Sequence, residues 1–172
     1  MAHEITGSTT RERGLPAPHP SRSRTARQAG RRVALVVATF HEPLVQPLLD
    51  GALEVLRAAG VAERDLSVVK VPGAFELPVV ALRLAQSRRF HSIICLGVVI
   101  RGETPHFDYV AGAAARGISD VALQTGVPTI FGVVTADSLE QAVERSGGRH
   151  GNRGADAART ALAMADVMKQ LS

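Results

Sequence analysis

Residues 97–110 read GVVIRGETPHFDYV, an apolar stretch that runs into a polar turn containing a proline. The apolar half predicts a buried strand, and parallel sheets of α/β proteins bind ligands where such strands end. The polar residues of the turn are Arg101, Glu103, Thr104, His106 and Asp108. A histidine near carboxylates at such a place is typical of proton transfer to or from a bound small molecule.

Outward from this stretch, apolar strands alternate with segments of helical periodicity. Continuous apolar runs such as VALVVA at Val33–Ala38 are typical of strands covered on both faces. The pattern predicts strands at 33–38, 66–71, 92–100 and 129–135, and helices at 44–59, 75–86, 107–125, 138–146 and 154–171. Because parallel strands are joined by right-handed crossovers, we predict an α/β fold, a flavodoxin-like three-layer α/β/α sandwich with a four-stranded parallel sheet.

Length and composition limit the class of protein. With 172 residues, 45% of them hydrophobic, the chain can form one domain with a substantial core. No apolar run reaches the roughly 18 residues of a membrane-spanning helix, and the first 32 residues lack the apolar segment of a secretory signal. The single cysteine, Cys95, can form neither an internal disulfide nor a zinc site, and we expect it to be buried. We therefore expect a cytoplasmic protein without membrane contact.

The basic character of the chain belongs to its N-terminal segment. Seven arginines and two glutamates give residues 1–32 a net charge of +5, which leaves −1 for residues 33–172 in a chain of net charge +4. Serine, threonine, proline and arginine are frequent in this segment, and no aromatic residues are interspersed as in nucleic-acid-binding surfaces. We predict a disordered basic arm at 1–32 that does not bind nucleic acid, followed by a folded domain at 33–172.

Four segments follow predicted strands and should meet at one edge of the sheet: 39–41, 72–76, 101–106 and 135–137. Phe40 could stack on a ligand ring or pack in the core, and Glu76 could bind a ligand or only interact with a helix dipole. His106 could transfer protons or merely precede a helix, and Arg145 could bind an anion or stabilise a helix end. Arg101 could form a salt bridge within its loop.

Several common kinds of site are not indicated. The sequence has neither a GxGxxG nor a GxxxxGK[ST] motif for nucleotide phosphates, and no His/Cys/Asp cluster with metal-ligand spacing. Ser138 could be combined with His106 and Asp108 into a hydrolase triad. However, Ser138 and Gln141 have the spacing of a helix capping box, which explains this serine structurally. We therefore expect no cofactor and no metal.

Four blocks of the sequence, in this order, resemble the 6,7-dimethyl-8-ribityllumazine synthases of riboflavin biosynthesis. They are PGAFELP at 72–78, GVVIRGETPHFDYV at 97–110, FGVVTADSLEQAVER at 131–145 and GNRGADAA at 151–158. The resemblance covers residues 33–172. It implies the penultimate step of that pathway, in which 5-amino-6-(D-ribitylamino)uracil and 3,4-dihydroxy-2-butanone 4-phosphate condense to the lumazine, phosphate and water.

The resemblance also implies a role for each candidate residue. Phe40 would stack on the pyrimidine, Glu76 would reach the ribityl hydroxyls, and His106 would transfer protons. Backbone N–H groups of Glu103 and Thr104 would hold the phosphate. Substrate binding is further implied for Ala74, Phe75, Val98, Val99, Ile100, Phe131, Arg145 and Arg153. From its spacing alone, Asp108 could orient His106.

Members of this family form homopentamers, some of which assemble by twelves into an icosahedral shell, with active sites between adjacent subunits. The resemblance thus implies a homo-oligomer, either a pentamer or a 60-subunit shell. Phe131, Arg145 and residues 151–154 would then complete a neighbour's site, and riboflavin synthase is an implied partner. Two residues depart from the family pattern: His41 replaces a frequent Asn, and Arg153 replaces a frequent Lys, which changes the geometry available at a phosphate.

Two other classes of function stay open at this point. One is a shell or storage protein that has lost catalysis, although Phe40, Glu76, His106 and Arg145 are all present. The other is a binding module whose basic arm recruits acidic cargo, with an affinity that would fall steeply with salt.

Overall fold

A four-stranded parallel sheet with the strand order β2-β1-β3-β4 lies at the centre of the computed structural model, which describes residues 30–171. The strands are β1 (Val33–Ala38), β2 (Leu66–Val71), β3 (Ser92–Ile100) and β4 (Thr129–Ala136). The helices are α1 (Glu42–Ala58), α2 (Leu77–Gln86), α3 (His106–Thr125), α4 (Leu139–Arg145) and α5 (Arg153–Gln170). The strands β5 (Ser146–Gly148) and β6 (Gly151–Asn152) form an antiparallel hairpin between α4 and α5.

Helices cover both faces of the sheet, which confirms the predicted flavodoxin-like three-layer α/β/α sandwich. Because side chains alternate along a strand, Leu35 and Val37 pack against α1, α4 and α5, whereas Val36 and Ala38 pack against α2 and α3. Cys95 is fully buried in the second of these cores, as expected. Burial raises the pKa of its thiol to about 12, so it is protonated and unreactive at neutral pH.

Helix ends follow the signals in the sequence. Gly60 lies just after α1 with a φ of 91°, a left-handed conformation that glycine adopts without strain. The hydroxyl of Ser138 accepts a hydrogen bond from the backbone N–H of Gln141 (3.3 Å), which confirms the predicted cap. The side chain of Gln141 accepts from the backbone N–H of Asp137 (3.0 Å) rather than from that of Ser138.

One local prediction was wrong, and one element was missed. The helix predicted at 75–86 begins only at Leu77, and Ala74–Glu76 forms a separate 3₁₀ turn. The physical reason is Pro78, which has no N–H to bond to the carbonyl group of Ala74. The hairpin β5–β6 was missed because strands of two or three residues carry no periodicity. The other element boundaries lie within one or two residues of their predicted positions.

The tightest helix contact joins α1 to the start of α5. A Cβ atom on Gly154 would lie 1.9 Å from the carbonyl oxygen of Leu48, and one on Gly51 would lie 2.5 Å from the side-chain nitrogen of Asn152. The Asn152 amide donates to the carbonyl oxygen of Pro47 (2.7 Å) while its oxygen caps α5. Only glycine therefore allows α1 and α5 to approach so closely.

Residues 1–29 of the predicted arm lie outside the described residues, and its boundary at residue 33 stays a prediction. Arg31 is buried and forms an ion pair with Asp166 of α5. Across residues 30–171, none of the helices combines the length and the hydropathy that crossing a membrane requires.

Replacing Gly154 by alanine should lower the free energy of unfolding by about 1–3 kcal/mol, because the new methyl group overlaps backbone atoms of α1. Chemical denaturation monitored by circular dichroism measures this change. Gly112→Ala is the matched control, since Gly112 also lies in a helix and its added methyl group would meet only the movable side chain of Arg116. Equal stability of the two variants would contradict the close contact.

Candidate active site

A cavity of about 610 Å³ opens at the carboxyl edge of the sheet and is called here the aromatic cavity. Three of the four segments predicted to meet at this edge line it. The predicted site residues in its wall are Phe40, Ala74, Phe75, Glu76, Val98, Val99, Ile100, Thr104 and His106. Glu103 is exposed on the same turn as Thr104 but does not line the cavity.

Aromatic side chains are concentrated around this cavity. The chain has only five phenylalanines and one tyrosine, yet Phe40, Phe75, Phe107 and Tyr109 all line it. Phe40, Phe75 and Tyr109 are 68%, 59% and 72% exposed. Exposed rings that share one concave surface are typical of a place that binds a flat ligand or a partner. The alternative that Phe40 is an ordinary core residue is therefore wrong.

His41 holds the backbone directly after Phe40 in an unusual conformation. Its φ of 63° and ψ of 39° place it in the left-handed region, which asparagine and histidine adopt more readily than most residues. Its ring contacts that of Phe40 edge to face, with 4.5 Å between the ring centroids. Histidine is thus among the residues that can adopt this backbone conformation at a low energetic cost.

The end of β3 offers an unpaired backbone edge to the cavity. On one side, β3 pairs with β4 as far as Ile100, opposite Ala136. On the other side, its pairing with β1 stops at Leu96, opposite Val37. The backbone of Val98–Ile100 therefore has no strand partner on the β1 side, and the N–H and C=O groups that point to this side are available to a ligand.

Arg101 connects the turn after β3 to two other elements. Its Nε donates to Asp137 (2.9 Å), and its Nη1 lies 3.3 Å from both carboxylate oxygens of Asp108. The guanidinium also lies over the ring of Phe107, 4.2 Å from the centroid. The hydrogen bonds to Asp137 and then to Asp108 raise the pKa of Arg101. The interpretation of Arg101 as a salt-bridging loop residue is confirmed.

His106 is the first residue of α3 and is exposed at the cavity wall. The suggestion that Asp108 orients it is not supported, because both oxygens of Asp108 face Arg101. Glu76 is the only acidic residue among the described residues that line this cavity. The aromatic cavity therefore combines exposed rings, one carboxylate and two imidazoles, of which that of His41 contacts Phe40.

The remaining predicted residues, Phe131, Arg145 and Arg153, line a second cavity of about 560 Å³ along β4, called here the arginine cavity. Arg145 donates to the carbonyl oxygen of Gln141 (3.0 Å), one turn back in its own helix. Arg153 forms an ion pair with Asp156 (3.3 Å), which also binds Arg159. Two guanidinium groups at one concave surface are suited to a phosphate or a carboxylate.

The structure does not bring the two predicted sets of residues together within one subunit. The aromatic cavity and the arginine cavity share no lining residue. Sequence reasoning missed Tyr109 and Val110 in the first cavity and Thr160 in the second. The first two could have been found, because residues three and four positions after His106 lie on its face of a helix.

Within the described part of the chain, no group of three or more His, Cys, Asp and Glu side chains could hold a metal ion. What the two cavities offer is stacking surface, backbone hydrogen bonds, cationic side chains and an imidazole. This arrangement suits proton transfer on an aromatic substrate that reacts with an anionic one.

Comparison with known proteins agrees with the geometry. Residues 30–169 match the sequence model of the family described as 6,7-dimethyl-8-ribityllumazine synthase. A similar protein from Syntrophus aciditrophicus (strain SB), named 6,7-dimethyl-8-ribityllumazine synthase, is 50% identical over 142 residues, which cover 83% of this chain and 92% of the relative. This chain therefore belongs to the 6,7-dimethyl-8-ribityllumazine synthase family, a family of transferases in riboflavin biosynthesis.

Proposed function

We propose that this protein condenses 5-amino-6-(D-ribitylamino)uracil with 3,4-dihydroxy-2-butanone 4-phosphate to 6,7-dimethyl-8-ribityllumazine, phosphate and water, the penultimate step of riboflavin biosynthesis. The observation that carries this proposal is the pair of cavities. The aromatic cavity suits a flat pyrimidine, and the arginine cavity suits a phosphate. Family membership supports the same reaction.

The pyrimidine is assigned to the aromatic cavity. Its ring stacks on Phe40, while its polar edge bonds to the unpaired backbone of Val98–Ile100. Phe75 and Ala74 complete the pocket on the side of the 3₁₀ turn, and the carboxylate of Glu76 accepts from ribityl hydroxyls. In this assignment the unpaired backbone of Val98–Ile100 recognises the pyrimidine, because hydrogen bonds to backbone groups are directional.

The butanone phosphate is assigned to the start of α3. The turn that carries Glu103 and Thr104 precedes the N-terminus of a 20-residue helix, where backbone N–H groups and the helix dipole favour an anion. Arg145 and Arg153 of a neighbouring subunit neutralise the phosphate from the opposite side. Arg153 can bind two oxygens at once, where the lysine frequent in the family supplies a point charge.

The reaction needs proton transfers but no redox step. The amine of the pyrimidine attacks the ketone, and one water leaves to form an imine. Phosphate is then eliminated, and the ring closes on the second carbonyl group with loss of a second water. His106 lies where it can accept and return these protons, and its exposure leaves both ring nitrogens accessible. Holding two substrates together supplies most of the acceleration, and a positioned imidazole adds roughly 10²–10⁴-fold.

We infer that a complete site forms between two subunits of a homo-oligomer, a pentamer or a shell of twelve pentamers. The two cavities of one subunit are separate, so each needs its complement from a neighbour. The helices that carry Arg145 and Arg153 also expose apolar side chains: Leu139, Val143, Met164 and Val167. Such side chains are typical of surfaces that a partner covers.

The remaining parts of the proposal concern cellular context. The protein acts in the cytoplasm, and riboflavin synthase, which uses the lumazine, is its functional partner. Residues 1–32 are a basic segment that precedes the catalytic domain at 33–172, and Arg31 of this segment packs against α5. Neither a cofactor nor a metal takes part in the reaction.

The first test is turnover of the purified protein with both substrates, followed by lumazine absorbance and by released phosphate. His106→Ala should lower kcat about a hundredfold without changing the oligomer measured by size-exclusion chromatography, because proton transfer loses its positioned base. His150→Ala is the control, since His150 is also exposed but lines neither cavity. Wild-type protein that makes no lumazine would contradict the proposed function.

Arg145→Ala should raise KM for the butanone phosphate about 10- to 100-fold and change KM for the pyrimidine little, because a charge-assisted contact to the phosphate is lost. Steady-state kinetics with each substrate varied in turn separates the two constants. Arg64→Ala, which removes an exposed arginine that lines neither cavity, should change neither. A rise in KM for the pyrimidine alone would contradict the assignment.

Mixed oligomers test whether sites are shared. When His106→Ala and Arg145→Ala subunits are unfolded together and reassembled, some interfaces should combine an intact aromatic cavity with an intact arginine cavity. With the butanone phosphate kept well below the KM of Arg145→Ala, random mixing should restore about a quarter of the wild-type activity. Each variant reassembled alone is the control, and a mixture no more active than these controls would show that each site lies within one subunit.

A further inference from the structure

One cluster of charged side chains lies behind the site without lining either cavity. The guanidinium of Arg101 binds carboxylates from two different elements: Asp108 in the first turn of α3 and Asp137 in the loop between β4 and α4. Arg101 itself follows the last residue of β3. One side chain thus joins three elements whose ends surround the aromatic cavity.

Two further contacts fix this side chain in place. Its guanidinium stacks on the ring of Phe107 at 4.2 Å, and its backbone N–H donates to the carbonyl oxygen of Ala136 (2.9 Å). Only arginine can stack on a ring and bind two carboxylates in different directions, because its guanidinium group is planar whereas the lysine ammonium is not. Lysine at this position would keep the charge but lose the geometry.

The cluster of Arg101, Asp108 and Asp137 is called here the clamp, and the turn at 102–105 lies between its members Arg101 and Asp108. This turn ends at Pro105, whose carbonyl oxygen accepts a hydrogen bond from the backbone N–H of Asp108 (3.0 Å) in the first turn of α3. Glu103 and Thr104 in the middle of the turn are exposed. Asp108 is therefore held both by the turn and by Arg101. Loss of the second contact should leave the start of α3 less ordered.

We propose that Arg101 is a positioning residue, which holds the turn at 102–105 and the first turn of α3 so that the phosphate-binding backbone and His106 keep a fixed relation. This inference rests on the proposed function for its catalytic consequence. In this proposal Arg101 does not bind the phosphate, because its Nε and Nη1 face Asp137 and Asp108 and the residue lines neither cavity.

The same clamp extends towards the arginine cavity. The backbone N–H of Asp137 donates to the side-chain oxygen of Gln141 (3.0 Å). The backbone carbonyl oxygen of Gln141 in turn accepts a hydrogen bond from the Arg145 side chain (3.0 Å). The path from Arg101 to Arg145 therefore consists of one ion pair and two hydrogen bonds. Disorder at Arg101 can loosen the loop before α4 as well as the turn before α3.

The test compares Arg101→Lys and Asp137→Asn with the wild-type oligomer. Hydrogen–deuterium exchange of the peptide covering residues 101–110 should become about tenfold faster in Arg101→Lys, because the start of α3 opens more often. KM for the butanone phosphate should rise about tenfold, and KM for the pyrimidine should stay within twofold. Asp137→Asn should show both effects more weakly, since it leaves Asp108 as a partner.

Arg57→Lys is the matched control. Arg57, in the last turn of α1, forms an exposed two-point ion pair with Glu63, in which its Nε and Nη2 lie 3.0 and 2.9 Å from the carboxylate oxygens. The same substitution there should leave exchange in residues 101–110 and both KM values unchanged. Size-exclusion chromatography checks that every variant keeps the oligomeric state of the wild-type protein.

The possible outcomes separate this inference from the proposed function. Unchanged exchange at 101–110 in Arg101→Lys would overturn the positioning role. Weaker inhibition by inorganic phosphate in Arg101→Lys, combined with stronger inhibition in Asp137→Asn, would also overturn it, because Arg101 would then bind the phosphate directly. Faster exchange in Arg101→Lys together with a wild-type protein that makes no lumazine would support the clamp and overturn only the proposed reaction.

Discussion

The contact between α1 and the start of α5 is the constraint on which the arginine side of the molecule depends. At Gly154 the two helices approach so closely that a Cβ atom would overlap the carbonyl oxygen of Leu48. Asn152 then bonds to α1 and caps α5 with the same side chain. Because Arg153 lies between these two residues, its place at the arginine cavity follows from this packing. A side chain on the exposed surface thus depends on a buried contact that leaves no room for a methyl group.

On the side of the aromatic cavity, the corresponding constraint is the length of β3. β3 continues for four residues beyond its pairing with β1 and remains paired with β4. The chain after β1 turns away through the left-handed conformation of His41 and leaves the ring of Phe40 exposed. A backbone edge without a partner and an exposed ring both lower the stability of an isolated subunit. Together they form a surface that can bind a planar, polar-edged ligand.

Much of this architecture could be predicted from local patterns. Strands such as Val33–Ala38 are apolar throughout because both faces are covered, and Gly60 and Ser138 mark helix ends through conformational and hydrogen-bonding preferences. The meeting of strand ends at one edge follows from parallel topology. The start of α2 was predicted incorrectly, although Pro78, which prevents an earlier start, is visible in the sequence.

Partner choice among charged side chains could not be predicted in the same way. The spacing of two residues predicts that Asp108 orients His106, whereas in the structure Asp108 forms an ion pair with Arg101. Asp137, the other partner of Arg101, lies 36 residues further along the chain. Such a pair forms only when two strand ends have been brought side by side, so no periodicity in the sequence records it.

The sequence by itself determined the layered fold, the helix caps and the residue types available for chemistry, because these depend on periodicity and local backbone preference. Only the tertiary structure decided which residues share a cavity. It separated Phe40, Glu76 and His106 from Phe131, Arg145 and Arg153, since the first set follows strands β1, β2 and β3 while the second lies along β4 and its helices. Whether distant residues face the same space depends on strand order and on close helix contacts, which are properties of the packed chain.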